Sequence, residues 1–125
     1  MAHLLGPGSL GAACLAAALT CGAGTASAAS FNCNRATTVV ERAVCSDPEL
    51  SDADERLSDL YQAGLDQTGN SPRLIEGQRT WMRNRDGCPN RSDGPDELQA
   101  CLMQAYAARQ DALSMFGRFR KTQPY

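Results

Sequence analysis

The segment SDPELSDADERLSDLYQAGL, residues 46–65, decides the fold, because apolar side chains recur along it every three or four residues. This spacing predicts one amphipathic helix, whose apolar face holds Leu50, Ala53, Leu57, Leu60, Tyr61 and Leu65. Two start signals overlap: Ser46 with Glu49 matches a capping box. Asp47-Pro48 also suits an N-cap followed by the first helical position. Gly69-Asn70 tolerates a left-handed turn and predicts the end of the helix.

Two further helices follow in the sequence pattern. The second opens at Ser71-Pro72 and ends before Gly87, and its apolar positions are Leu74, Ile75, Gln78, Trp81 and Met82. The third follows Gly94-Pro95-Asp96 and ends at Gly117, and its apolar positions are Leu98, Cys101, Leu102, Ala105, Tyr106, Ala112, Leu113 and Phe116. These stripes predict an all-α fold, a small bundle of about three helices preceded by a short N-terminal turn at residues 38–44.

The N-terminal residues are typical of an export signal. Residues 4–29 carry no charge, and their apolar centre has the length of a signal-peptide core. Ala26-Ser27-Ala28 has the small-x-small pattern and predicts cleavage after its last residue, with Ala29 as the alternative. Cys14 and Cys21 lack the leucine three positions upstream that a lipobox normally has, so we do not expect lipidation. We therefore predict an exported protein, periplasmic or secreted, without a membrane span.

Four cysteines lie outside this leader: Cys33, Cys45, Cys88 and Cys101. An even number of cysteines in an exported chain indicates disulfides, and four cysteines permit three connectivities. We favour Cys33–Cys45 and Cys88–Cys101, since each pair closes a short loop next to a helix end. Zinc binding is disfavoured, because there is no CxxC pair and no histidine remains outside the leader.

Length and composition narrow the class of protein. The 125 residues suffice for one small domain, and we divide them into a signal peptide (1–28), a helical domain (29–117) and a basic, frayed tail (118–125). The net charge of -2 argues against a nucleic-acid partner. The single histidine, His3, lies in the leader. We therefore expect no enzymatic activity, no catalytic residue, no metal and no cofactor.

Negative charge is concentrated along the first helix, since residues 41–66 carry eight acidic residues and two arginines. We expect four carboxylates to lie outside the apolar stripe, face water and form an acidic face for a cationic protein partner: Asp52, Asp54, Glu55 and Asp59. A solvated helix surface without a partner is the simpler interpretation. A third interpretation is that the acidic face pairs with arginines of the second helix: Arg79, Arg83 and Arg85.

Short motifs spread over most of the chain resemble a known family. They are Phe31-Asn32-Cys33, the run VERAVCSDPELS at residues 40–51, Gln78-Arg79, Trp81, Arg85-Asp86, Cys88, Cys101-Leu102, Tyr106 and Arg109. Together they are similar to the lysozyme inhibitor LprI-like N-terminal domain family, from residue 31 to about residue 113. The resemblance implies a small exported helical domain of bacteria, and it transfers no lysozyme-contacting residue to this chain.

The resemblance and the residues together give one leading functional hypothesis. We expect a non-enzymatic module that binds a protein partner and inhibits lysozyme-type muramidases by occlusion. Lysozyme comes from the resemblance alone, although an acidic helix face is compatible with a cationic target. The alternative is an envelope structural or interaction module that has no effect on lysozyme. Self-association of the domain stays open at this point.

Overall fold

The computed structural model describes residues 29–121, with side chains up to residue 116. The expected signal peptide (1–28) and the last residues of the expected tail (122–125) lie outside the described residues. Within them the chain forms no strand and four α-helices: α1 (Val39–Ser46), α2 (Pro48–Thr68), α3 (Pro72–Asp86) and α4 (Pro95–Lys121). Two 3-10 turns, Cys33–Arg35 and Cys88–Arg91, precede α1 and α4. The all-α prediction is confirmed, and the expected count of about three helices is too low.

The additional helix, α1, replaces the short turn predicted for residues 38–44. A capping box closes its first turn: the Thr38 hydroxyl accepts the Glu41 N–H at 3.1 Å, and the Glu41 carboxylate accepts the Thr38 N–H at 3.2 Å. Val40 and Val44 are buried on its inner face. An isolated helix of this length is marginal, so packing on α2 decides between helix and turn.

The start of α2 resolves the two overlapping capping signals. The Asp47 carboxylate accepts the backbone N–H groups of Glu49 at 2.9 Å and Leu50 at 3.3 Å, and Pro48 occupies the first helical position. Ser46 belongs to the last turn of α1, where its hydroxyl donates to the Ala43 carbonyl at 3.2 Å. The Asp47-Pro48 interpretation is therefore confirmed, and the Ser46 capping box is wrong.

The other helix ends agree with the sequence except at one glycine. α2 ends at Gly69, whose φ of 62° lies in the left-handed region. α3 ends at Gly87. α4 continues through Gly117 to Lys121, so the stop predicted at Gly117 is wrong. A glycine inside a helix costs only about 1 kcal/mol relative to alanine, which the rest of a long helix can offset.

Both favoured disulfides are present. Cys33–Cys45 joins the first 3-10 turn to α1, and Cys88–Cys101 joins the second 3-10 turn to α4. Their Cα atoms are 5.7 and 5.8 Å apart. The chain-entropy model assigns about 3 kcal/mol of stabilisation to loops of this size. This is a substantial fraction of the stability of a domain with so small a core.

The core lies between α2 and α4, on which α1 and α3 also pack. Tyr106 is its largest fully buried side chain, and the other core residues are Val40, Val44, Leu50, Ala53, Leu57, Leu74, Cys88, Leu102 and Leu113. Three residues predicted to be in the apolar stripes are instead exposed: Met82 at 42%, Phe116 at 41% and Ala112. Among the described residues, no helix is apolar and long enough to span a bilayer.

Candidate partner-binding site

Three of the four predicted surface carboxylates form a stripe on α2. Asp52, Glu55 and Asp59 are all exposed, and their spacing of three and four residues places them on one side of the helix. Within residues 29–116, whose side chains are described, none of the three forms a salt bridge. We call these residues the acidic stripe. The exposed Arg56 lies beside it and leaves the stripe with a negative excess.

The fourth predicted carboxylate, Asp54, does not belong to the surface. It is 4% exposed, so the expectation that it faces water is wrong. The reason is its position: Asp54 lies four residues after Leu50 and three before Leu57, both of which are buried. At helical spacing these intervals place Asp54 on the inner side of α2. That spacing is the sequence signal that could have identified its burial.

Hydrogen bonds satisfy the buried Asp54 carboxylate on both oxygens. Oδ2 accepts the Ser30 backbone N–H at 2.8 Å and the Ser30 hydroxyl at 2.5 Å. Oδ1 accepts the Tyr106 hydroxyl at 2.7 Å. Burial, followed by the adjacent negative charge of Asp54, raises the pKa of Tyr106 well above its usual value near 10. The phenol therefore stays protonated and donates to the carboxylate, which links α4, α2 and the N-terminal segment.

Arg85 on α3 continues this network towards solvent. Its side chain is only 12% exposed; Nη2 donates to Asp86 at 2.8 Å and Nη1 donates to Tyr106 Oη at 3.3 Å. Burial opposes the charge of Arg85, yet these neighbours together raise its pKa above the usual value. The guanidinium carbon lies 5.2 Å from the centre of the Trp81 ring, a distance suited to a cation–π contact.

The arginines of α3 do not neutralise the acidic stripe. Arg79 and Arg83 lie 3.9 and 3.3 Å from the Glu76 carboxylate on their own helix. Both pairs are exposed, so each contributes at most about 1 kcal/mol. Arg85 reaches Asp54 only through the Tyr106 hydroxyl. The alternative interpretation, in which α3 arginines pair with the stripe, is therefore wrong, and the three carboxylates remain unpaired within the described side chains.

Trp81 joins α3 to α4 as part of the packed interior. Its indole N–H donates to the Ala105 carbonyl at 2.9 Å. Its ring meets the Tyr106 ring edge-on, with centres 5.1 Å apart and planes at 66°. Such pairs add about 0.5–1.5 kcal/mol beyond area burial. The core interpretation of Trp81 is thus supported by its partners.

A second polar contact between α3 and α4 was not predicted from the sequence. Arg109 Nε donates to the Gln78 side-chain oxygen at 3.0 Å, and burial lowers the Arg109 pKa. The guanidinium lies 3.4 Å from where a Cβ at Gly77 would stand. Glycine at this position lets the arginine approach the α3 backbone. No apolar periodicity indicates this contact, because both partners are polar.

The N-terminal segment, α2 and α3 enclose a cleft of about 530 Å³. Asp54 and Arg85 line it, together with other polar and apolar side chains: Phe31, Asn32, Arg35, Glu41, Ser58, Tyr61, Gln78, Trp81 and Met82. We call it the N-terminal cleft. No local sequence pattern predicts this cleft, because it forms only when residues 30–35 lie against α2. In the described part of the chain, no cluster of potential ligands for a metal ion is found.

The fold and site define a small all-α domain, cross-linked by two disulfides, with an acidic stripe on its surface and a polar network inside. The chain belongs to the family described as Lysozyme inhibitor LprI, which matches residues 32–113. This confirms the resemblance found in the motifs.

The curated relatives are longer than this chain. Proteins named Lipoprotein LprI from Mycobacterium bovis and from two strains of Mycobacterium tuberculosis are 34% identical to it over 80 residues. The alignment covers 64% of this chain and 38% of each relative, so it spans well under half of their length. No solved structure matches the chain significantly.

Proposed function

We propose that this protein is an exported, non-enzymatic helical module that binds lysozyme-type muramidases and inhibits them by occluding their substrate-binding surface. Membership of the Lysozyme inhibitor LprI family supports the choice of partner. The observation that carries the proposal in this chain is the acidic stripe, whose carboxylates are exposed and lack internal cationic partners in the part of the chain described.

The stripe acts on a cationic partner through long-range attraction. Complementary charge speeds encounter and orients the two surfaces, and such steering raises association rates by about 10- to 1000-fold. Exposed charges are screened beyond about 8–10 Å at physiological salt. We therefore expect binding to a cationic muramidase to weaken steeply as salt is added.

We also propose that the protein is exported. Two disulfides in a chain of this size suit an oxidising compartment, which is where a muramidase would be met. We expect cleavage after Ala28 to release a periplasmic or secreted protein without a lipid. The mycobacterial relatives are named lipoproteins, so mass spectrometry of the exported protein would decide between a free and an acylated N-terminus.

The test compares charge reversal on the stripe with matched reversal elsewhere. In oxidised protein comprising residues 29–125, the stripe variant carries Asp52→Lys, Glu55→Lys and Asp59→Lys. The control variant carries the same charge change at three other exposed carboxylates: Asp93, Asp96 and Asp111. Association with c-type lysozyme is followed by stopped-flow and calorimetry, and inhibition by the turbidity of cell-wall suspensions.

We expect stoichiometric binding by the wild type and association at least about tenfold slower in the stripe variant at low salt. The control variant should lose much less. Equal losses in both variants would show that net charge, and not the stripe, attracts the partner. An absence of both binding and inhibition at tens of micromolar would overturn the muramidase proposal in favour of the envelope-module alternative, which predicts co-purification with envelope components.

A further inference from the structure

The N-terminal cleft lies on the opposite side of α2 from the acidic stripe. Asp54 and Tyr61 face the cleft, whereas Asp52, Glu55 and Asp59 are rotated away from them by 100–180° at 100° per residue. The two surfaces can therefore be changed independently. Nothing in the proposed muramidase contact uses the cleft.

Most carboxylate and amide oxygens that line the cleft already accept hydrogen bonds; Glu41 Oε1 does not, and the Ser58 and Tyr61 hydroxyls, which can also donate, make none within the described residues. Both Asp54 oxygens accept from Ser30 or Tyr106. Glu41 Oε2 accepts the backbone N–H groups of Thr37 and Thr38, at 2.7 and 3.2 Å. Asn32 Oδ1 accepts the Asn34 N–H at 3.0 Å, and Gln78 Oε1 accepts from Arg109 at 3.0 Å.

The donors in the same cleft are only partly used. The exposed Arg35 side chain makes no hydrogen bond or salt bridge within the described residues. Because the oxygens of Asn32 and Gln78 face N–H donors, their amide nitrogens remain free to donate. Arg85 has five N–H groups, and its bonds to Asp86 and Tyr106 use one on each nitrogen. One N–H is left on Nη1 and one on Nη2.

This imbalance selects a ligand that only accepts hydrogen bonds. A carboxylate does so, and it matches the fork of an arginine guanidinium. Arg35 and Arg85 line the cleft together with Asp54 and Glu41, and Arg85 also pairs with Asp86. Because the site has no excess of positive charge, a single negative charge suits it better than a dianion.

Apolar side chains define the rest of the ligand. Phe31, Trp81 and Met82 line the cleft, and Met82 is 42% exposed. Apolar walls with a few converging polar groups are typical of small-ligand sites. We propose that the N-terminal cleft binds the C-terminal carboxylate of a peptide whose last residue is apolar. The carboxylate meets Arg35 and the free N–H groups of Arg85, and the last side chain lies against Phe31 and Trp81.

Three acetylated tripeptides test this in NMR titrations of the oxidised protein, with the Trp81 indole and Ser30 amide signals as reporters. The first, Ac-Gly-Ala-Phe, ends in a free carboxylate. The second is its C-terminal amide. The third, Ac-Gly-Glu-Phe amide, moves the carboxylate to an internal side chain. We expect the free acid to shift both reporters and to bind about tenfold more tightly than either amide, which corresponds to about 1.4 kcal/mol.

Two matched variants locate the contact. Arg35→Gln removes an exposed cation of the cleft, and Arg56→Gln removes an exposed cation on the far side of α2. The first should reduce the affinity for the acid to that of the amide, and the second should leave it unchanged. Equal binding of acid and amide, equal effects of both variants, or no reporter shifts at millimolar peptide would each overturn the proposal.

Tight binding of the internal-glutamate peptide would overturn the assignment to a chain terminus. No muramidase is present in these titrations, so their outcome is independent of the proposed inhibitory function.

Discussion

Replacing Tyr106 by phenylalanine tests the buried network with little change of shape. The Tyr106→Phe variant keeps the ring that packs edge-on against Trp81 and leaves no large cavity. It removes a single hydroxyl, which donates to Asp54 at 2.7 Å and accepts from Arg85 at 3.3 Å. The effect of the substitution on stability therefore reports on these two hydrogen bonds.

The expected magnitude follows from the burial of Asp54. Asp54 is 4% exposed, so water cannot readily replace the lost donor on Oδ1, whereas Arg85 keeps its hydrogen bonds to Asp86. A hydrogen bond to a charged group contributes about 1.5–3 kcal/mol, and an unsatisfied buried charge costs at least as much. We expect Tyr106→Phe to lower the free energy of unfolding by about 2–3 kcal/mol, or the Tm by roughly 10–20 °C.

Denaturant unfolding of the oxidised protein, followed by circular dichroism, measures this loss. Tyr61→Phe is the matched control, because Tyr61 is half-buried and its hydroxyl has no hydrogen bond in the part of the chain described. That change should stay within about 0.5 kcal/mol. A double-mutant cycle with Asp54→Asn should give a coupling energy of about 1–2 kcal/mol. If Tyr106→Phe matched the control, or the cycle showed no coupling, the network would not stabilise the fold.

Three further measurements test other parts of the structure. Because folding raises the Tyr106 pKa, the contribution of its protonated hydroxyl to the free energy of unfolding is fully present below pH 10. Above pH 10 this contribution should fall by about 1.4 kcal/mol per pH unit. Tyr106→Phe should flatten this alkaline slope in pH-dependent denaturation. Asp47→Ala should cost about 1 kcal/mol through loss of the α2 cap, whereas Ser46→Ala should change thermal stability little if Asp47 is the cap. Replacing both Cys88 and Cys101 by alanine should cost about 3 kcal/mol, and more than the same change at Cys33 and Cys45, because only Cys88 is fully buried.

The helical elements were predictable where local signals and periodicity agreed. Asp47-Pro48 and Gly69 bound α2 in both the sequence pattern and the structure, and the two disulfides join cysteines close in sequence. α1 was missed because eight residues hold too few periodic positions, and its stability depends on contact with α2. Gly117 does not end α4, because the long helix before it offsets the cost of one glycine.

The candidate site was predictable only in its exposed part. Asp52, Glu55 and Asp59 lie where the helical period places them, on the side away from the core. Residue type alone places Asp54 on the same surface, whereas its position between Leu50 and Leu57 places it on the buried side. Its partner Tyr106 is 52 residues away, and no local pattern connects a carboxylate with so distant a phenol. The cleft likewise depends on the contact of Ser30 with Asp54, and Ser30 belongs to no periodic pattern in the sequence.

The residues that carry the family resemblance lie mainly at the joints of the fold. Asp47 caps α2, Trp81 and Tyr106 join α3 to α4 and α2, and Arg109 binds Gln78. Such residues maintain the scaffold, and their burial leaves them little surface for a partner. None of the three carboxylates of the acidic stripe belongs to these motifs. Two members could therefore share the motifs and the fold while binding different partners, so inhibition of a muramidase has to be tested on the exposed residues of each chain.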